Sequence, residues 1–351
     1  MSDASLAETP ETKLRYPLEG IPAPGEMREV RRGIYWVRMP IPFVLNHINL
    51  WLLEESDGWT LVDTGVATED VKGLWRQILA DKLKGKPLRH LIVTHLHPDH
   101  VGLAGWFARK CGLDLSMSRT DFLMARNLVL DTGREAPEAA VAFYRGAGFD
   151  EESIDTYKKR FGTFGRSVAT LPDTYRRLKE GDELEIGGRQ WRVVVGEGHA
   201  PEHVCLFCPE EKILISGDQV LPRISSNVGV HPPDIHGNPL AAWLESCDRL
   251  RSLLPADSLV LPAHNEPFIG LQERLTQLID GHEEGLARLY DLIREPKRAI
   301  DVFPALFKRV ITSDVFFMAT GESIAHLHCL IGRKKASVER DAQGVDWYRA
   351  I

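Results

Sequence analysis

The sequence predicts an α/β protein of two similar β-rich halves, packed sheet against sheet with helices on the outer faces. Two observations predict it. The first is an order that occurs twice: strand, acidic residue, helix, strand, histidine. It runs Trp59-Thr60-Leu61-Val62, Asp63, a helix from Thr68, Leu91-Ile92-Val93 and His95, and again Lys212-Ile213-Leu214-Ile215, Asp218, a helix from about Pro239, Leu259-Val260-Leu261 and His264. The second is the switch of apolar rhythm along the chain, from short strand-like runs to helical spacing and back.

Each element has its own signal. The first thirty or so residues are polar and proline-rich, a tail expected to become a packed arm near Pro22 to Pro24. Strand-like runs follow at residues 33–38, 47–53 and 59–63, the last two forming a hairpin that turns at Gly58. Thr68 then caps a helix in which Val71, Leu74, Trp75, Ile78 and Leu79 recur at one face. Residues 119–179 read mainly helical and carry Phe122, Leu123, Leu128, Phe143, Tyr144, Phe149, Tyr157, Phe161 and Phe164 among charges. That insertion is too long for a connection and too apolar for a linker. Most of its aromatics are expected in a helical core, and the segment is a candidate lid with Gly162-Thr163-Phe164-Gly165 as its hinge. Residues 182–195 make a hairpin turning at Gly187-Gly188. The helix from Pro239 turns Leu240, Trp243, Leu244, Cys247 and Leu250 inward. From Glu283, helical runs at residues 286–293, 302–310 and 322–331 precede strands at 336–340 and 345–348.

Composition narrows the class. At 351 residues the chain accommodates one large α/β domain plus a small appendage, and 43% hydrophobic with 26% charged is an ordinary globular balance. A net charge of −7 argues against a general nucleic-acid binder. Five scattered cysteines do not make a disulfide framework, and reducing cytoplasm is the simpler setting. Cys205 and Cys208 are discounted as a metal pair, because strand residues three apart face opposite sides. The N-terminus lacks the basic start and apolar centre of a secretory signal, and no apolar run reaches the ~18 residues of a membrane span. A cytoplasmic protein without a membrane segment is expected.

The chemistry is concentrated in Thr94-His95-Leu96-His97-Pro98-Asp99-His100, at the mouth of the apolar strand Leu91-Ile92-Val93. Three imidazoles and a carboxylate on one short loop are hard to explain as packing, and the donor set suits zinc, iron or manganese.

This His-x-His-x-Asp-His pattern after a strand resembles the signature of the metallo-β-lactamase superfamily. Four further motifs resemble the family's in order: Leu61-Val62-Asp63-Thr64-Gly65, Gly198-His199-Ala200-Pro201-Glu202-His203, Ile215-Ser216-Gly217-Asp218 and Leu261-Pro262-Ala263-His264. The resemblance covers roughly Val30 to His282. It implies an αββα sandwich in residues 1–282, with the helical insertion at about 119–180, and a dinuclear site. His95, His97 and His199 would hold one metal, Asp99, His100 and His264 the other, Asp218 would bridge them, and Asp63 would support the ligands from behind. The cofactor implied is two divalent ions per chain, zinc first, with iron or manganese as alternatives. Such a pair lowers the pKa of a shared water towards ~7, which makes hydrolysis the default reaction, with Asp99 and Asp218 holding the water and the metals.

Glyoxalase II and lactonases, which this ligand set resembles, suggest a carboxylic ester, thioester or lactone as substrate. RNA-cleaving members make a phosphodiester the alternative, and persulfide dioxygenases with a single iron are a third reading. His97 stands where flavodiiron-like members have glutamate. Asp218 opens the loop 220–236, whose Arg223, Asn227 and His231 are candidate contacts for a small-molecule substrate with an apolar or acyl group. His47 and His90, near strand ends, are expected to make structural hydrogen bonds, and His282, on an apolar helix stripe, is expected to be a packed imidazole. His326 and His328 point to different helix faces.

Residues 283–351 resemble a winged helix, which a subset of the superfamily carries at the C-terminus. They hold 11 Lys plus Arg against 10 Asp plus Glu, and only Arg333-Lys334-Lys335 clusters. A packing or homodimerisation module is expected rather than a DNA reader.

Overall fold

Seven strands pair in chain order into one sheet: β1 (Met27–Arg31), β2 (Ile34–Pro40), β3 (His47–Glu54), β4 (Trp59–Val62), β5 (Leu88–Ile92), β6 (Leu115–Met117) and β7 (Arg176–Arg177). Six more form a second: β8 (Glu183–Ile186), β9 (Arg189–Gly196), β10 (His203–Cys208), β11 (Ile213–Gly217), β12 (Leu259–Pro262) and β13 (Phe268–Ile269), in the order β13-β12-β11-β10-β9-β8. The α-helices among the described residues are α1 (Glu69–Gln77), α2 (Pro98–Val101), α3 (Ala104–Cys111), α4 (Arg119–Leu130), α5 (Glu138–Gly146), α6 (Glu151–Arg160), α7 (Pro239–Leu253), α8 (Leu271–Leu292), α9 (Phe303–Leu306) and α10 (Phe316–Gly332). A hairpin, β14 (Ala336–Arg340) with β15 (Asp346–Ala350), ends the chain. This computed structural model describes residues 14–42 and 45–351, so the first 13 residues of the expected N-terminal tail lie outside the described residues.

The doubled order in the sequence is the topology. β4 and β5 are parallel with α1 crossing between them, and β11 and β12 are parallel with α7 crossing between them. Thr68 caps α1 by accepting from the Val71 N–H at 3.3 Å, and Val71, Trp75 and Ile78 go inward. Asn238 caps α7 through the Ala241 N–H, and all five of its expected inward residues are buried. Gly187 and Gly188 both take left-handed backbone, φ +62° and +71°, which is the turn that a two-residue hairpin demands.

Three apolar layers follow. Ile34, Trp36 and Trp51 of the first sheet meet Trp191, Leu206 and Ile215 of the second between the sheets. Trp75, Phe107 and Phe122 cover the outer face of the first sheet, and Trp243, Leu275 and Leu327 belong to the layer outside the second. That is the expected αββα sandwich. Each buried aromatic contributes a gross ~4–6 kcal/mol from its area, an upper figure because the unfolded chain is already partly collapsed. Cys205 packs in the outer layer and Cys208 between the sheets, on opposite faces of β10 as the strand argument required.

Other expectations need correction. The arm is packed from Leu14, well before Pro22: Arg15 exchanges two backbone hydrogen bonds with Ile269, because β13 is an edge strand with unpaired backbone groups. The glycine stretch at residues 162–165, the expected hinge, is bonded to the residues that follow α4. The Gly133 N–H donates to the Gly162 carbonyl at 2.9 Å and the Gly165 N–H to Thr132 Oγ1 at 3.1 Å, which ties the segment to the end of α4. Of the apolar residues in the insertion, Phe122 stacks on Tyr175, while Tyr144, Phe149 and Tyr157 cluster with Phe316 and Phe317 of α10, and Leu123 is exposed. α8 runs unbroken through residues 282 and 283 and so joins the sandwich to the expected C-terminal unit. The second C-terminal helical run shrinks to α9, because Pro304 is tolerated only in a first turn and Phe307 is already extended (φ −116°, ψ 130°). α10 starts at Phe316 and not at Glu322. Among the described residues, no helix is long and apolar enough to cross a membrane.

Candidate metal centre

Parallel pairs deliver the loops that follow their strands to one edge of a sheet, and both halves use that edge. Asp63 follows β4, the His95–His100 loop follows β5, Asp218 follows β11, His264 follows β12, and His199 lies in the turn before β10. Their donor atoms fall into two groups, His95, His97, His199 and Asp218, and Asp99, His100 and His264, with the atoms in each group within 4.8 Å of one another.

Within the first group, His95 Nε2 lies 2.9 Å from His97 Nδ1 and 3.2 Å from His199 Nε2, which is 3.4 Å from Asp218 Oδ2. In the second, His264 Nε2 lies 3.3 Å from Asp99 Oδ2, and His100 Nε2 lies 3.8 Å from it. Asp218 reaches both: Oδ2 is 3.5 Å from His100 Nε2 and Oδ1 is 3.4 Å from His264 Nε2. Its carboxylate therefore sits between the groups.

The far nitrogen of four imidazoles is occupied, which turns each Nε2 inward; where neighbouring carboxylates favour a proton there, as at His100 and His264, a cation must displace it. His100 Nδ1 donates to Asp63 Oδ2 at 2.8 Å, His199 Nδ1 to the Asn227 carbonyl at 2.7 Å, and His264 Nδ1 to the His47 carbonyl at 2.8 Å. His95 Nδ1 meets Thr94 Oγ1 at 3.0 Å. Asp63 also accepts from the Thr94 N–H at 2.8 Å, which clamps the end of β5. Burial, helped by the charge of neighbouring imidazoles, holds His95 well below its ordinary value and pushes His97 down to about 3, so both are unprotonated. At His264 burial opposes the proton, but Asp218 and Asp99 outweigh it and raise its value to about 10.

These side chains fit divalent cations. Buried His100 Nε2 and Asp218 Oδ1 have no hydrogen-bond partner among the described residues, a condition that costs about 1–3 kcal/mol per group when nothing compensates it. The carboxylates of Asp99 and Asp218 draw positive charge to the same place. Imidazole with carboxylate is the donor chemistry of zinc, iron or manganese.

Of the candidate substrate contacts, Arg223 pairs with Glu266 at 3.0 Å and lies over the Tyr16 ring, Asn227 gives its amide to Glu322 and its carbonyl to His199, and His231 is exposed, with the charge of His199 acting on its ring. His47 does make structural bonds, and they back the site: its Nε2 accepts from the Asn265 N–H, one residue past His264. His90 is exposed, a correction to its expected role. His282 is buried as expected.

Three residues bonded to the site or to its loops escaped the sequence reading. His203 Nε2 accepts from the Asp218 N–H at 3.1 Å, and its ring stacks on His95. Asp121 accepts from the Leu96 N–H at 3.0 Å and the Glu202 N–H at 2.8 Å, so it joins the two histidine loops. Its spacing from Ser118 looks like an ordinary helix start, yet the Ser118 side chain caps nothing and donates to Asp121 instead. The third is Glu322, far along the chain on α10.

Residues 44–264 match the metallo-beta-lactamase superfamily, and residues 286–351 match the metallo-beta-lactamase-like C-terminal domain. With its sandwich fold and paired donor clusters, the chain belongs to the metallo-beta-lactamase superfamily. It is similar to a beta-lactamase domain protein of known structure from Burkholderia ambifaria, with 36% identity and a TM-score of 0.89 over 97% of this chain and 98% of that one. It is 26% identical to the probable metallo-hydrolase YqjP of Bacillus subtilis, covering 84% of this chain and 91% of that protein. It is 28% identical to acyl-coenzyme A thioesterase MBLAC2 of Gallus gallus, covering 71% of this chain and 83% of that protein.

Proposed function

We propose that the chain is a metal-dependent hydrolase of carboxylic esters, with acyl thioesters the first substrate class and lactones within reach of the same chemistry. The observation that carries this reading is the position of the Asp218 carboxylate between two clusters of inward-facing donors. His95, His97 and His199 would hold one divalent ion and Asp99, His100 and His264 the other, with Asp218 shared, and zinc is the ion proposed. Bound there, the ions supply Lewis acidity and a water that ionises near neutral pH. Everything else is the work of the chain. Burial keeps His95 and His97 in the unprotonated form that can donate, Asp63 orients His100, and His203 and Asp121 fix the loops that carry Asp218, His95 and His199. The thioesterase named among the relatives supports the thioester, and the net charge of −7 weighs against the phosphodiester. The C-terminal unit is proposed to be a packing module and not a nucleic-acid reader.

Zinc-loaded protein, checked by elemental analysis, would be assayed against acyl-coenzyme A thioesters, p-nitrophenyl esters, lactones, bis-p-nitrophenyl phosphate and an alkyl sulfate. The expected result is close to two zinc ions per chain and fastest cleavage of an acyl thioester or ester. Faster turnover of the phosphodiester or the sulfate, or a single iron per chain, overturns the reading.

A further inference from the structure

Helix α10 lies in the C-terminal unit, yet it is fastened to the loop that carries the backbone partner of His199. The Asn227 amide donates to Glu322 Oε2 at 2.8 Å, and the carbonyl of the same Asn227 accepts from His199 Nδ1 at 2.7 Å. One turn of loop further on, the Val230 N–H donates to the Gly321 carbonyl at 3.0 Å. A second line of bonds ends on the same residue. Ser225 Oγ meets His282 Nε2 at 3.1 Å, His282 Nδ1 meets His326 Nε2 at 3.2 Å, and His326 Nδ1 donates to the Glu322 carbonyl at 2.8 Å. Burial pushes His282 down to about 3 and His326 down to about 4. With both rings neutral, every member of that line has one donor facing one acceptor: hydroxyl to His282, His282 to His326, His326 to carbonyl.

Loop residues 225–230 are thus held by two adjacent positions of α10: Ser225 through two imidazoles to the Glu322 carbonyl, Asn227 by the Glu322 carboxyl, and Val230 by the Gly321 carbonyl. Asn227 is the one of them that meets a candidate metal-ligand imidazole, His199, while Ser226 Oγ donates to the backbone carbonyl of Asp218. We propose that Glu322 is a positioning residue of the metal centre: through Asn227 it fixes the orientation and tautomer of the His199 imidazole, so that the C-terminal unit completes the site built by the two sheets. This rests on the metal-site reading above and does not depend on which ester is cleaved. Glu322 is nine-tenths buried, and burial pushes its carboxyl up to about 7, so the neutral amide of a glutamine offers Asn227 the same acceptor.

The test is zinc affinity of the full chain, measured by competition with a chelator, beside turnover. Glu322→Ala is expected to weaken one of the two zinc sites about 10–100-fold, the span seen when a partner behind a metal-bound histidine is lost, while Glu322→Gln stays within about threefold of wild type. Asn227→Ala removes the amide and leaves the carbonyl, and it should weaken the same site; the double variant should be no worse than the poorer single. Glu322→Ala with wild-type zinc affinity overturns the proposal, as does a Glu322→Gln as weak as the alanine variant. Where the alanine variant does not fold, Asn227→Ala decides, and wild-type affinity there overturns it. Protein that holds zinc in this pattern but cleaves no ester or thioester sinks the reaction proposed above and leaves the role of Glu322 standing.

Discussion

At the scale of single residues the site depends on backbone conformations that few side chains accept. Asp63 sits at φ +61°, in the left-handed region that aspartate and asparagine tolerate best among side-chain-bearing residues. There its Oδ2 accepts from His100 Nδ1 and its Oδ1 from the Thr94 N–H. Asparagine keeps the backbone and one acceptor but turns an N–H towards His100, so the imidazole must either lose that bond or flip its tautomer and withdraw the Nε2 lone pair. Asp63→Asn should therefore lower zinc affinity and kcat/KM together by about 10–100-fold, with far less change in the urea unfolding of chelator-treated protein. Activity within twofold of wild type would show that the carboxylate is not orienting His100. The ligands themselves were legible in the sequence because the chemistry demands histidine or aspartate at those points and the strands ahead of them mark the loops. Asp121 and Glu322 were not legible. Each is a lone carboxylate on a helix, and what gives it meaning is a partner about eighty to a hundred positions away in the chain: Glu202 for Asp121 and Asn227 for Glu322.

Elements were legible where one face is apolar and the other polar. α1 and α7 follow their periodicity and their caps. The start of α10 did not show, because residues 319–327 are buried on every side and such a helix has no 3.6-residue contrast to read. Nor did the early start of the packed arm at Leu14, since pairing of Arg15 with an edge strand is a contact across some 250 residues that leaves no local pattern. How elements meet also decides the site. Gly198 precedes His199 at φ +102°, and a Cβ there would stand 2.5 Å from Trp243 Cβ and 2.6 Å from the Pro239 carbonyl, both on α7. The crossover helix of the second half thus packs directly on the turn that presents His199. Gly198→Ala combines forbidden backbone with overpacking, and about 2–4 kcal/mol of stability should be lost in a denaturant titration. Zinc bound at the His95, His97 and His199 group should weaken alongside. Loss of stability with unchanged zinc affinity would mean that the turn moves without carrying His199.

On the scale of the whole molecule, the C-terminal residues share one apolar layer with the catalytic sandwich. Leu286, Leu289 and Ile293 of the α8 region, Ile324, Leu327 and Leu330 of α10, and Tyr348 of β15 are buried in the same cluster as Trp243 and Leu250 of α7 and Val194, Leu214 and Val260 of the second sheet. The aromatics of the insertion join it through Phe316 and Phe317. A chain ending at residue 282 would cut α8 partway, strip this layer from the outer face of the second sheet and remove Glu322. Exposed apolar area on that scale is incompatible with a stable monomer. The truncated chain should accumulate as aggregate or lack a cooperative unfolding transition, whereas the full chain should unfold in a single transition seen alike by circular dichroism and tryptophan fluorescence. Two separate transitions in the full chain, or a soluble 1–282 fragment that unfolds cooperatively and binds zinc as tightly as the whole, would show that the sandwich and the C-terminal unit are independent, and that α10 is not part of what holds His199 in place.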